Sequence, residues 1–290
     1  MPGKSDKFTL LHSLNAKQHQ VFCILSDERV FTSKSPDVFN QVMKGAGMNG
    51  SYVPFMVKPD KIAEAIKSLR ALNIAGANVA APYKEKIAPH MDSVSESAEI
   101  IGAINTIARN GEKLKGYNTN AIGLMETLEE IQCDPAGKTA LVLGAGGAAK
   151  AAVFVLNWLK AGHIFVASQN ELNARQVAAR VRGDFLTTDQ LIDRDIPINI
   201  LINATTVSSP EESPELAEIA EKLKLPECEL ILDLNYGRIQ NFWQDKAQKT
   251  GILFQDGLLP LIHQARNSLS LWTGIEIKTE EFKKALEFHL

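Results

Sequence analysis

Cysteine is scarce. Cys23, Cys133 and Cys228 are the only three in 290 residues, they are scattered, and their number is odd. That excludes a disulfide framework and shows no zinc-ligand spacing, so buried or inert thiols in a reducing compartment are expected. Charge of one sign is also lacking. The formal net charge is −3, and no dense Lys/Arg tract occurs. Neither a nucleic acid nor an anionic membrane is expected as the main partner; a small anion needs only one or two local cations. Long apolar runs are missing too. The best candidate is interrupted by Lys150, and Met1–Leu14 has no apolar signal core, so the expectation is a cytoplasmic protein with no membrane span. Internal repeats and low-complexity segments are absent from the sequence. What remains is a 45% hydrophobic, 22% charged chain long enough for two domains.

The rest is organised around Thr139–Ala152. The apolar run Ala140–Leu143 reads as a buried strand, stopped by Gly144-Ala145-Gly146-Gly147. Residues Ala148 to Leu159 follow with helical spacing. Strand, glycine turn and helix open a nucleotide-binding βαβ unit: glycines let backbone approach a pyrophosphate, and the new helix offers free N–H groups to it. Ala149 takes the place of the third glycine, where a small residue still allows close helix–strand packing. The plainer reading is a tight βα turn in a protein that binds no nucleotide.

Upstream, residues 1–19 read as a polar arm. Strands are expected at Val21–Leu25, Tyr52–Val57 and Asn78–Ala81. Helices are expected from a Ser35 N-cap with Pro36 to about Lys44, and over Asp60–Leu72. Ser93–Ile101 reads as a helix. Ala103–Ala108 and Lys113–Gly116 read as a hairpin turning at Asn110-Gly111. Ile122–Ile131 is amphipathic and leads to a break at Asp134–Gly137. Downstream, strands are expected at Ile164–Ala167, Ile198–Asn203, Glu229–Leu234 and from Leu253. Helices are expected at Leu172–Arg180, from Ser213-Pro214, and at Phe242–Lys249, Leu258–Trp272 and Lys278–Phe288. The pattern predicts two α/β domains: an open substrate domain over 1–120 completed by 256–290, and a Rossmann-like nucleotide domain over 121–255.

Several polar residues stand where chemistry could sit. Ser33 and Ser35 flank a helix start, either as ligand hydroxyls or, for Ser35, as a cap alone. Asn78 and Lys84 bracket Pro82 at a strand's carboxyl end, where open α/β sheets bind ligands. Asn105, Asn118 and Asn120 surround the hairpin, where Asn is usually a turn former. Gln264 lies in an apolar helix, as a buried amide or a ligand contact.

Taken in order, a set of motifs is specific. It comprises Ser33-Lys34-Ser35-Pro36, Gly76-Ala77-Asn78 with Pro82-Tyr83-Lys84, Gly102-Ala103-Ile104-Asn105-Thr106 and Gly116-Tyr117-Asn118-Thr119. The glycine loop, Asn203-Ala204-Thr205, Asp233–Tyr236, and Gly257 with Gln264 complete it. The chain after about residue 20 resembles the shikimate/quinate dehydrogenase family. The resemblance implies hydride transfer between NADP or NAD and a cyclic hydroxy acid such as shikimate or quinate, in aromatic amino-acid biosynthesis. It makes Lys84 the acid/base, with Asn120 beside it in the catalytic set. Ser33, Ser35, Asn78, Asn105, Tyr236 and Gln264 become substrate contacts. Gly144, Gly146, Gly147, Ala148, Ser168, Gln169, Asn203, Thr205 and Gly257 become cofactor contacts. No metal is implied, and monomer or homodimer stays open.

The departures are as informative. The family's Asn-Thr-Asp is Asn118-Thr119-Asn120, so the anion that would pair with Lys84 is lost, which lowers the expected pKa of that lysine. A family Thr is Ala80, removing a hydroxyl contact. NADP users carry Asn-Arg-Thr where Ser168-Gln169-Asn170 stands, Ser208-Ser209 replaces a Gly-Met, and Pro260 replaces a Met. Two alternatives to the dehydrogenase therefore stand: a paralogue acting on another cyclic polyol, and a protein that binds ligand or nucleotide without turnover.

Overall fold

A computed structural model describes residues 19–193 and 196–287. The expected arm over 1–19 lies almost wholly outside the described residues. The chain divides into two compact units. One takes in the described residues of Met1–Ala98 and Ala265–Leu290, with Ile104–Tyr117; the other is Glu99–Ala103 with the described residues of Asn118–Gln264.

The first unit holds a six-stranded mixed sheet. Its strands are β1 (Gln20–Ser26), β2 (Gly50–Met56), β3 (Gly76–Val79), β4 (Ser93–Val94), β5 (Thr106–Asn110) and β6 (Lys113–Tyr117), in the order β2-β1-β3-β5-β6-β4. β1 pairs parallel with β2 and β3, and β5 runs antiparallel to both β3 and β6. The helices Ser35–Gly45 and Ile62–Ala71 are the parallel crossovers, and their apolar faces are buried: Val38, Phe39, Val42 and Met43 in one, Ile62, Ile66 and Leu69 in the other. The register sets Leu25 opposite Val79 and Asn78 opposite Thr106. The carboxyl ends of β1 and β3 and the start of β5 therefore share one edge.

The second unit is an all-parallel sheet of β7 (Thr139–Leu143), β8 (His163–Ala167), β9 (Asp184–Leu186), β10 (Ile200–Asn203), β11 (Leu230–Asp233) and β12 (Leu253–Gln255), ordered β12-β11-β10-β7-β8-β9. Counted from the first strand this is 3-2-1-4-5-6, the doubly wound dinucleotide order, with its switch point between β7 and β10. The β7, β10 and β11 interiors are fully buried, as a sheet covered on both faces requires. Leu143, Ala167, Asn203 and Asp233 stand in register, so the residues that follow them emerge along one edge.

Three local expectations are corrected. Ser35 is the first residue of its helix, not its cap; Lys34 occupies the cap without a side-chain bond, and Ser33 Oγ instead accepts from Ser35 N at 3.2 Å. Ser93–Ile101 splits into β4 and a short helix, Glu96–Ile101, because Ser93 and Val94 pair with Lys115 and Gly116. The hairpin turns one residue later than Asn110-Gly111, since Asn110 pairs with Lys113 and the loop is Gly111-Glu112, with Gly111 at φ 60°. The strand β9 and the helix Thr188–Asp193 carry too short an apolar pattern to be seen in the sequence. Ser213 caps as expected, accepting from Leu216 N at 3.2 Å. No helix among the described residues is long and apolar enough to cross a membrane, and no group of His, Cys, Asp and Glu among them could hold a metal.

Candidate active site and dinucleotide pocket

In the first unit, Lys84 follows the carboxyl end of β3. Three anchors fix its loop. Ser26 Oγ donates to Ala81 O at 2.7 Å, the buried Tyr83 hydroxyl donates to Val57 O, and Ile104 N donates to Lys84 O at 2.7 Å. Lys84 is half-buried, yet enough protein surrounds its amine for desolvation alone to lower the pKa from 10.5 to about 8. Among the described residues no carboxylate contributes to that shift. The lysine is thus shifted towards the neutral amine, in the direction expected from the sequence.

Asn78 is buried on the same edge, but both ends of its amide are engaged by protein. Its Oδ1 accepts from Tyr52 OH at 2.8 Å, and its Nδ2 reaches Asn105 O at 3.2 Å, Thr106 Oγ1 at 3.0 Å and Ser268 Oγ at 3.1 Å. Ser268 and Thr106, themselves 3.0 Å apart, are fully buried; Ser268 escaped sequence reasoning, and Thr106 entered it only within the Gly102–Thr106 motif. Their signal is three-dimensional, since Ser268 lies 190 residues from Asn78. Asn105 immediately precedes β5 and is buried. Its backbone bridges two strands, with N donating to Tyr117 O at 3.0 Å and O accepting from Val79 N at 2.8 Å. Ser33 is half-buried and Ser35 buried, at the loop and helix that follow β1.

The second unit carries the other candidates. Asn118 is a buried cap for the helix Thr119–Glu130: Oδ1 accepts from Ala121 N at 3.0 Å, and Nδ2 donates to Ala103 O at 2.9 Å. Asn120 lies half-buried in the first turn of that helix. Gln264 is buried in the helix Leu258–Thr273, its Oε1 accepting from Thr119 Oγ1 at 3.4 Å. Gly123 lets these helices meet. A Cβ there would stand 2.8 Å from both Gln264 N and Pro260 O. Sequence reasoning missed it, because nothing local distinguishes a close-approach glycine from any other.

The glycine loop lines a cavity of about 830 Å³, within the usual range for cofactor sites. Gly144, at φ 110°, packs a missing Cβ against Ala204 O at 2.9 Å, so only glycine fits. Gly146 caps the helix Gly147–Trp158 without a side-chain bond, leaving first-turn N–H groups open to an anion. Gly144 and Gly146 line the cavity, with Ser168, Gln169 and Thr205 on its walls. A dinucleotide pyrophosphate fits this cradle. Gly147 and Ala148 begin the helix behind it. Asn203 is wholly buried, outside the cavity wall. It donates to Asp233 Oδ1 at 2.9 Å and accepts from Thr205 Oγ1 at 2.8 Å, and so holds the loop that carries Thr205. Asp233, also buried, gathers Asn203, Asn235 (2.9 Å) and Asn241 (2.7 Å). Gly257 packs against Leu234 O, where a Cβ would come within 2.3 Å. Tyr236 lies on a separate, smaller cavity with Arg238 and Asp256, whose carboxyl is pushed up by burial.

Residues 26–107 match the family model described as the shikimate dehydrogenase substrate binding domain. A shikimate dehydrogenase (NADP(+)) of Caldanaerobacter subterraneus is 36% identical over 250 residues, covering 83% of this chain and 88% of that relative. The chain belongs to the shikimate dehydrogenase family. Its fold agrees with solved family members. The Thermus thermophilus enzyme in complex with NADP(H) and shikimate superposes with a TM-score of 0.81 at 28% identity, covering 93% of this chain and 100% of that one. The Listeria monocytogenes enzyme in complex with shikimate and NAD gives 0.80 at 25% identity, covering 92% and 96%.

Proposed function

We propose that this chain is a nicotinamide-dependent oxidoreductase of the shikimate dehydrogenase type, acting on a cyclic hydroxy acid such as shikimate or quinate. The first unit binds the substrate and the second the dinucleotide. The observation that carries the reading is Lys84. It is an amine fixed at a strand's carboxyl end, with a pKa of about 8, so it gives or takes a proton near neutral pH.

The bound nicotinamide accepts or supplies the hydride. In alcohol oxidation the neutral Lys84 Nζ takes the hydroxyl proton as the carbonyl forms. In reduction the protonated Nζ stabilises the charge developing on oxygen and returns the proton. In the first unit Ser33 and Ser35 serve the substrate carboxylate as hydroxyl donors, with Asn105 as an amide contact; in the second, Gln264 and Tyr236 are assigned as substrate contacts, and the uncharged Asn120 takes the place of the family's Asp. Asn78, whose amide is engaged by protein, is given a positioning role for Asn105 and the β3–β5 edge. The uncapped helix start at Gly146 takes the pyrophosphate, with Ser168, Gln169 and Thr205 along the adenosine side.

Nicotinamide absorbance with shikimate and quinate, each with NAD and NADP, tests this reading. Turnover in the wild type that falls about 10²- to 10⁴-fold in Lys84→Ala is expected. Wild-type turnover that survives Lys84→Ala removes the lysine from the chemistry. A second reading, hydride exchange with a different cyclic polyol, is favoured by Ala80, which offers no hydroxyl at the end of β3. Turnover on a wider polyol panel with none on shikimate or quinate selects it. If no substrate turns over in the wild type but Asn120→Asp gains activity on shikimate, the non-catalytic binding role stands instead.

A further inference from the structure

We propose that this chain selects NAD over NADP, with Glu215, presented across the pocket through Gln169, as the specificity-determining residue. The inference rests on the dinucleotide reading of the glycine-loop cavity and deepens it.

In a doubly wound sheet the residues after the second strand meet the adenosine ribose. An acid there binds the 2′,3′-diol, whereas an Arg accommodates a 2′-phosphate. Here the second strand ends at Ala167, whose carbonyl accepts from Gly144 N at 2.8 Å. That bond puts Ser168 and Gln169 beside the glycine loop. Neither an acid nor an Arg stands at 168–170. The carboxylate comes instead from another element. Glu215, in the first turn of the helix Pro214–Lys222, accepts from Gln169 Nε2 at 3.2 Å, and both residues line the cavity. Gln169 donates one N–H to Glu215 and keeps its carbonyl oxygen, while Glu215 keeps a second oxygen. Both are acceptors suited to ribose hydroxyls and unsuited to a phosphate.

The electrostatics of the wall agree. Among the described residues, Asp189, Glu212, Glu215 and Glu218 line the cavity against a single lysine, Lys222. Lys222 is engaged by Glu218 at 2.5 Å, and Glu212 by Arg238 at 2.8 Å; among the described residues no ion pair engages Asp189 or Glu215. The nearest arginine of the following helix, Arg175, pairs with Glu171 at 3.8 Å and lies over the Phe185 ring at 4.3 Å, outside the cavity. A 2′-phosphate brings a charge of about −1.5 to −2 at pH 7 to this acidic wall, on which, among the described residues, the one lining lysine is already paired with Glu218.

Titration calorimetry on the full chain decides the matter without turnover. The probes are NAD, NADP, 5′-ADP and 2′,5′-ADP, with wild type, Glu215→Gln and Lys222→Ala. Glu215 is exposed, and the Gln replacement keeps its shape. Wild type is expected to bind NAD and 5′-ADP at least about tenfold more tightly than their 2′-phosphorylated counterparts, with the gap narrowing in high salt as an exposed charge requires. Glu215→Gln should tighten 2′,5′-ADP at least about threefold, and Lys222→Ala should leave the ratio within about twofold. Wild type binding NADP as tightly as NAD overturns the inference while leaving the dinucleotide site intact. So does an unchanged ratio in Glu215→Gln, or loss of 2′,5′-ADP affinity in Lys222→Ala. Binding of none of the four probes overturns both the inference and the dinucleotide reading.

Discussion

Replacing Lys84 by methionine should stabilise the protein at neutral pH while abolishing its activity. Methionine keeps an unbranched apolar stem and removes only the amine that burial disfavours as a cation. The sign follows from the shift. The folded-state pKa, about 8, lies below the unfolded value of 10.5, so the unfolded chain binds the proton more tightly. The cost to folding is full below the folded pKa, shrinks between about 8 and 10.5, and is absent above. With 1.36 kcal/mol per pKa unit, the fall from 10.5 to about 8 gives about 3 kcal/mol at pH 7 and about 2 kcal/mol at pH 9. Denaturant unfolding of wild type and Lys84→Met at pH 7, 9 and 10.5 measures it. The variant should gain about 1–3 kcal/mol at pH 7, and the gain should fade as pH rises. A loss of stability at pH 7, or a gain that does not change with pH, refutes burial as the cause of the shift.

The same group sets the pH profile of turnover. kcat/KM for alcohol oxidation should rise with pH through an inflexion about 8, and ketone reduction should fall through it; a profile flat across that range excludes Lys84 as the titrating group. Gly123→Val should cost about 2–3 kcal/mol in unfolding experiments, because its side chain would press on the backbone of Gln264 and Pro260, which cannot swing aside. An unchanged stability would show that the helices separate freely. Asp233→Ala leaves the amides of Asn203, Asn235 and Asn241 short of an acceptor and should cost about 2–4 kcal/mol, with weakened nucleotide binding by calorimetry since Asn203 holds the Thr205 loop. Intact nucleotide affinity in a stable Asp233→Ala would separate that network from the pocket.

Much of this protein was legible in one dimension. Strand, glycine turn and helix at Thr139–Trp158 are a local signal, because backbone freedom at Gly144 and 3.6-residue spacing beyond it are properties of neighbouring residues. The order of crossover helices and strands likewise announced two α/β sheets. The lysine too could be singled out, since a residue just past a strand end emerges at the edge where such sheets bind ligands. The sequence also exposed the departures at Ala80, Asn120 and Gln169, by what stands at each position.

Only the tertiary structure decided what those residues touch. It showed Asn78 and Asn203 buried and bonded to Ser268 and Asp233, partners that arrive from distant segments. It moved the start of a helix from Pro36 to Ser35 and split Ser93–Ile101, because pairing with β6 outweighed local helical preference. It brought Glu215 to Gln169 across 46 residues. Periodicity and turn chemistry depend on near neighbours and are written along the chain. A hydrogen bond, a close helix contact or a desolvated amine depends on which distant atoms converge, and folding alone brings them together.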